Sequence, residues 1–161
     1  MTSFTTAQVC LNGHLITLST EQEPHYMENF CSDCGAKTII ACPTCGDQIR
    51  GCCLNGPISY SLSLNQKPDA YCPNCGEPYP WTESALESAK LLIHEEKTLS
   101  MEEKSALVES LNDIIAETPR TNLAITRLKK FLIAAGEFSA DAIRQFVIDF
   151  GCEFAIRKLN L

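Results

Sequence analysis

Residues 30–46 read FCSDCGAKTIIACPTCG, and this stretch decides how the chain folds. It holds two Cys-x2-Cys-Gly turns, Cys31 to Cys34 and Cys42 to Cys45, with the β-prone run Lys37-Thr38-Ile39-Ile40 between them. A turn of this kind holds two thiolates near enough to share one metal ion. Its backbone N–H groups face the sulfurs, and the glycine that follows tolerates positive φ. Working outward, the same element recurs as Cys72 and Cys75 in CPNCG, and CLNGH supplies a fourth half-site in Cys10 and His14. A closed tetrahedral zinc site takes four sulfur or imidazole ligands, so two half-sites serve one ion. The pattern therefore predicts two Zn²⁺ ions on Cys10, His14, Cys31, Cys34, Cys42, Cys45, Cys72 and Cys75.

Two pairings satisfy this count. In the sequential one, Cys10, His14, Cys31 and Cys34 hold the first ion and the remaining four cysteines the second. A crossed one, first half-site with third and second with fourth, would resemble the cross-brace of RING domains. Shorter closed loops cost less chain entropy, which favours the sequential pairing. His25 and His94 complete no such set and read as solvated residues.

The chain has 161 residues, 45% hydrophobic and 20% charged, a balance that excludes wholesale disorder. Ten cysteines are present, and all but Cys152 fall within residues 1–75. The opening MTSFTTAQVCLNGHLITLST has neither a basic start nor an apolar core ending in a small-residue cleavage site. A cytoplasmic location with reduced thiols is expected, favouring metal over disulfides. No apolar run approaches the roughly 20 residues of a membrane span, so no membrane partner is expected.

From residue 82 onward the pattern becomes helical. Thr82 can cap a helix running to about Glu96 with Leu86, Ala89 and Ile93 on one face. Ser100 and Glu103 form a capping box for a second helix, whose stripe is Leu107, Leu111, Ile114 and Ile115, ending before Pro119. A third runs from Thr121 to about Ala135, with Ala124, Leu128, Phe131, Leu132 and Ala135 inward and Gly136 as a left-handed stop. Ser139 is expected to cap a fourth, with stripe Ile143, Phe146, Val147, Phe150 and Phe154. The expected class is α+β: a double zinc ribbon over residues 1–80 and a small four-helix domain over 82–161.

Three cysteines remain. Cys52 and Cys53 read as neighbours in a loop after Arg50-Gly51, with a redox or spare-ligand role as the sharper alternative; Cys152 reads as a buried small hydrophobe. Four protein ligands per ion leave no open position for chemistry, and no hydrolase, zincin or phosphate-loop motif occurs, so no enzymatic activity is expected. Iron in the all-cysteine set, with rubredoxin-like electron transfer, is a further reading. Formal net charge is −7, and residues 1–81 offer only Lys37, Arg50 and Lys67 as cations, which disfavours that half as a nucleic-acid clamp. Residues 118–136 carry Arg120, Arg127, Lys129 and Lys130 without an acid, the one stretch suited to nucleic acid or an acidic partner. PYPWTE at 78–83 reads as packing between ribbon and helices, with exposed recognition as the alternative.

FCSDCG, CPTCG and YCPNCG resemble the double zinc ribbon pattern. The wider combination of CLNGH, FCSDCGAKTI, YCPNCGEPYPWTE and TPRT resembles a bacterial family known only as a domain of unknown function, across nearly the whole chain. YCPNCGEPYPWTE is the most specific block. The resemblance implies a zinc-ribbon head fused to a helical tail in a bacterial cytosolic protein, and it carries no activity across. Cys52 and Cys53 depart from its pattern. The expected function is a non-enzymatic zinc protein acting as a protein–protein adaptor or regulatory subunit, with nucleic-acid binding through the third helix as the alternative.

Overall fold

The computed structural model describes residues 3–54 and 67–161. The chain divides into two compact units, residues 1–83 and 84–161.

The first unit is built from very short antiparallel strands. Strand β1 (Phe4–Thr6) pairs with β5 (Arg50–Cys53), and β2 (Gln8–Cys10) is the centre of a second sheet, flanked by β3 (Leu15–Thr17) and β4 (Thr38–Ile39). The β-prone runs at 15–18 and 37–40 thus supply β3 and β4. The register of β2 on β4 sets Val9 opposite Ile39 and Cys10 opposite Thr38. This pairing carries Cys10 to the foot of the turn that ends at Lys37, whose carbonyl accepts the Leu11 N–H at 3.0 Å. Sheet register, rather than side-chain packing, therefore brings the first two half-sites together.

Strands of two to four residues bury little apolar area, and a unit of this size needs a further source of stability. Its core is correspondingly thin: Ala7, Val9, Ile49, Tyr79 and Trp81, together with the first cysteine of each half-site, are buried. Glu21 adds a polar clasp. Both of its carboxylate oxygens accept the Thr6 N–H at 3.1 Å, and the Thr6 hydroxyl also donates to it. The hydroxyl bond, followed by the backbone N–H groups of Glu21 itself and of Thr6, holds the Glu21 carboxyl below its usual range. Of the chain between Cys45 and Cys72, residues 50–53 form β5, which pairs with β1; residues 55–66 lie outside the described residues.

Cys52 and Cys53 lie on β5, not in a loop. The Cys52 N–H donates to the Thr5 hydroxyl at 2.8 Å, and Cys53 faces Phe4 across the ladder. Successive side chains of a strand project to opposite faces. The two thiols are therefore separated, and neither a shared ligand pair nor a vicinal disulfide follows from their adjacency. Gly51 explains why the strand can lie here, since a Cβ would sit 1.9 Å from the Leu18 carbonyl oxygen.

Among the described residues five α-helices follow: α1 (Pro80–Glu95), α2 (Met101–Ile115), α3 (Thr121–Ala134), α4 (Glu137–Phe150) and α5 (Glu153–Leu159). The expected stripes are largely buried, including Leu86, Ala89 and Ile93 on α1, Leu107, Leu111 and Ile114 on α2, and Leu128 and Phe131 on α3. The Ser100–Glu103 capping box is formed in both directions. Helix α1 starts two residues ahead of Thr82, with Pro80 at the first helical position where no N–H is needed. Thr82 is accordingly not a cap, and its buried hydroxyl has no hydrogen-bond partner among the described residues.

The expected fourth helix is two. Gly151 and Cys152 adopt extended ψ of 148° and 153°, and Cys152 donates its N–H to the Ile114 carbonyl of α2 at 2.8 Å instead of continuing the helix. A Cβ at Gly151 would lie 2.4 Å from the Val147 carbonyl oxygen, so glycine permits the break. Phe154 then belongs to α5, and Cys152 is a half-buried residue at its start. Gly136 is likewise not a left-handed stop. It is extended, with φ −61° and ψ 153°, and forms the N-cap of α4, which carries no side-chain cap of its own.

Side chains from elsewhere in this unit complete those helix ends. The Glu96 carboxylate, only 8% exposed, accepts the Gly136 N–H at 3.3 Å and the Lys97 and Thr98 N–H groups at 2.9 and 3.2 Å. The Ser139 hydroxyl, followed by these donors, holds its carboxyl down at about 2. The Lys104 ammonium, also buried, donates to the His94 carbonyl at 2.9 Å, placing a cation at the negative end of α1.

Candidate metal centres

Three half-sites share one backbone construction. The N–H of the first cysteine donates to the carbonyl five residues on (Cys31 to Ala36, Cys42 to Asp47, Cys72 to Glu77) at 2.7–2.8 Å. The glycine after the second cysteine donates back to the first, and the flanking residues close an antiparallel bridge. Gly35, Gly46 and Gly76 have φ of +70°, +76° and +77°, the left-handed conformation that the turn demands. The CLNGH half-site is a variant: Gly13 takes φ +89° one residue before His14, and the His14 N–H donates to the Cys10 sulfur at 3.3 Å.

The structure brings Cys10, His14, Cys31 and Cys34 into one cluster and Cys42, Cys45, Cys72 and Cys75 into another. Within each, one ligand atom from every residue lies within 4.8 Å of the other three. This is the sequential pairing. In both, the first ligand of each half-site is buried and the second exposed.

The spacings match a metal of definite size. Zinc–sulfur bonds of about 2.3 Å directed to tetrahedral corners place neighbouring sulfurs about 3.8 Å apart, and a nitrogen at about 2.05 Å falls about 3.5 Å from sulfur. The observed Sγ–Sγ separations are 3.8 Å for Cys10 and Cys34, 3.8 Å for Cys42 and Cys75, and 3.7 Å for Cys45 and Cys72. His14 Nδ1 stands 3.5 Å from Cys31 Sγ, which makes Nδ1 the ligand atom. Both donor sets thus fit a tetrahedral thiophilic ion. Each can hold one metal ion, with all four positions filled by the chain.

Electrostatics call for a cation here. The Ala36 N–H, with help from Asn12 and His14, lowers the Cys34 thiol to about 6. The N–H of Cys75, followed by that of Asn74, does the same for Cys72. Burial pushes Cys10 up. Cys75, although favoured by the Glu77 N–H, is pushed up to about 12 by desolvation and the neighbouring Cys45, Cys72 and Cys42 sulfurs. Without a dication the clusters split into thiolate and thiol, and a bound one removes that conflict.

Tyr79 and Trp81, immediately after the last half-site, are buried and stacked at 4.7 Å, so they are not an exposed recognition element. The Trp81 indole donates to the Asp69 carbonyl at 3.0 Å. Among the described residues the buried Tyr79 hydroxyl makes no well-formed hydrogen bond, and its proton is held on by burial first and then by the nearby Cys72 sulfur. Spacing alone did not disclose this tyrosine beneath the second cluster; its place directly after CPNCGEP was the available signal.

The cations singled out on the third helix do not form one free patch. Arg120 pairs with Asp113 at 3.4 Å, and Arg127 reaches the Ala106 carbonyl at 2.9 Å and the Ser110 hydroxyl at 2.7 Å on α2. Lys129 and Lys130 are exposed, with Lys130 near Glu103. His25 and His94 are exposed and belong to neither cluster. Among the described residues no helix is long and apolar enough to cross a membrane.

Comparison with known families identifies the chain's relatives. The model of the family described as Uncharacterized protein conserved in bacteria (DUF2321) covers residues 3–159. The chain belongs to this family. No curated protein and no solved structure matches it. The DUF2321 match spans both metal clusters and all five helices, so clusters and helices are parts of one family unit rather than a ribbon appended to an unrelated tail.

Proposed function

We propose that this DUF2321 protein is a cytoplasmic, non-enzymatic zinc protein that acts as an adaptor or regulatory subunit in protein–protein interaction. The observation that carries the reading is the closure of both donor sets. Four protein ligands at tetrahedral spacing leave no coordination position for water or substrate, which is the arrangement of structural zinc. A Cys3His set favours zinc over iron, and the two clusters share one construction, so zinc is assigned to both.

In such a unit the metal replaces a core. Binding and folding of residues 1–83 are then one equilibrium, and the folded unit presents a surface only when loaded. That surface is suited to a protein partner. Met27, Phe30 and Ile40 are 42%, 64% and 42% exposed around one groove of the first ribbon, with Lys37 as its sole charged group. The engagement of Arg120 and Arg127 supports the protein reading over nucleic acid.

The test is affinity capture with the zinc-loaded full chain and with a C31S/C72S variant, beside a salt-titrated nucleic-acid binding assay. A partner retained only by the loaded chain and lost in F30D supports the reading. Salt-sensitive nucleic-acid binding lost in K129A/K130A contradicts it.

A further inference from the structure

The two clusters share a feature that the ligand spacing does not disclose. In the first, the side-chain amide of Asn12 donates from Nδ2 to Cys34 Sγ at 3.4 Å. In the second, Asn74 Nδ2 donates to Cys45 Sγ at 3.5 Å. Each asparagine stands two residues after the first ligand of its own half-site, Cys10 or Cys72, and reaches across to the exposed thiol of the facing half-site. The equivalent positions of the facing half-sites are Asp33 and Thr44, so each cluster has one such amide.

We propose that Asn12 and Asn74 are positioning residues that tie the half-sites of each cluster together and shield the exposed metal-bound thiolates of Cys34 and Cys45. The inference rests on the zinc reading above. A metal-bound sulfur keeps much of its thiolate charge, and when exposed it is the nucleophile through which a closed site is attacked. An amide N–H on that sulfur draws off charge, covers one side and fixes the ligand's orientation; such outer partners commonly change metal affinity about 10–100-fold. Backbone bonds hold the two turns independently of these amides. Leu11 and Gly13 are fixed by their own N–H groups, as are Cys72 and Gly76, so removing the amide does not remove the turn. Cys75 is also exposed, and among the described residues no side-chain amide is bonded to it, which makes it an internal reference.

The test uses the full chain loaded with zinc, with N12A and N74A compared to wild type. Iodoacetamide labelling of each cysteine is followed by mass spectrometry. N12A is expected to raise the labelling rate of Cys34 several-fold and leave Cys45 and Cys75 unchanged, and N74A to raise Cys45 alone. Unchanged rates with zinc retained overturn the proposal, as does a uniform rise over all ligands, which marks a general loosening. If either variant loses its metal, the cobalt-loaded N12Q and N74Q chains provide the second readout. A weakened amide bond shifts the sulfur-to-cobalt charge-transfer band to lower energy, and an unshifted band overturns the proposal. A wild-type chain that does not hold two zinc ions defeats the zinc reading itself, before any asparagine is changed.

Discussion

Gly13 lies directly against Trp81: a Cβ built on Gly13 would sit 3.0 Å from Trp81 Cβ and 3.1 Å from Cγ. The glycine also holds φ +89°, one residue before the ligand His14. Gly35 has a similar φ of +70° and open space around it. Both G13A and G35A incur the left-handed penalty of about 1–2 kcal/mol, but only G13A adds crowding against the indole. In a chelator competition, G13A should weaken metal binding at the first cluster more than G35A does. Equal effects would mean that the Trp81 contact contributes nothing.

Trp81 is the chain's single tryptophan, and it is 3% exposed. It is packed by Gly13 and Tyr79 and bonded to Asp69, all within residues 1–83. Its fluorescence should therefore report the metal-dependent fold of that unit. Chelation is expected to shift emission to the red while most helical circular dichroism persists. Helical signal lost in step with the metal would contradict two separable units.

Glu96 gives the helical unit its own acid response. Its carboxylate is held at about 2, chiefly by Ser139 and then by Thr98 and Gly136, against an ordinary value of 4.5. A lowered folded value means that the stabilisation is complete above about 4.5 and lost as pH falls through about 2. E96Q should be less stable than wild type at pH 7 and should show a flatter dependence between those limits. Denaturant melts followed at 222 nm across that range would measure this, and parallel curves for the two proteins would refute it.

Thr82 is fully buried, and its hydroxyl has no hydrogen-bond partner among the described residues. Valine has the same shape without the polar atom, so T82V is expected to leave thermal stability unchanged or raise it by up to about 1 kcal/mol. A loss larger than that would reveal a bond to the hydroxyl.

How much of this was legible follows from the range of the interactions. The four half-sites are local signals, since a Cys-x2-Cys-Gly turn is fixed by its own residues, and the helix stripes and the Ser100–Glu103 box are equally local. What escaped was set at a distance. Thr82 was displaced as a cap by Pro80, whose missing N–H suits the first turn. Ser139 was displaced by Glu96, 40 residues before Gly136, and the fourth helix broke because Cys152 bonded to Ile114. Cys52 and Cys53 looked like loop residues because β5 has no alternating pattern and is defined by pairing with β1. Nothing in a single chain marks such partners beforehand.

The central claim is that each cluster is a closed tetrahedral zinc site. Zinc-edge X-ray absorption on the purified full chain tests it most directly. With seven cysteines and one histidine shared by two ions, the account predicts an averaged shell dominated by sulfur at about 2.3 Å, with a minor nitrogen contribution and no bound water. A shell rich in oxygen or nitrogen, or iron in place of zinc, would contradict it.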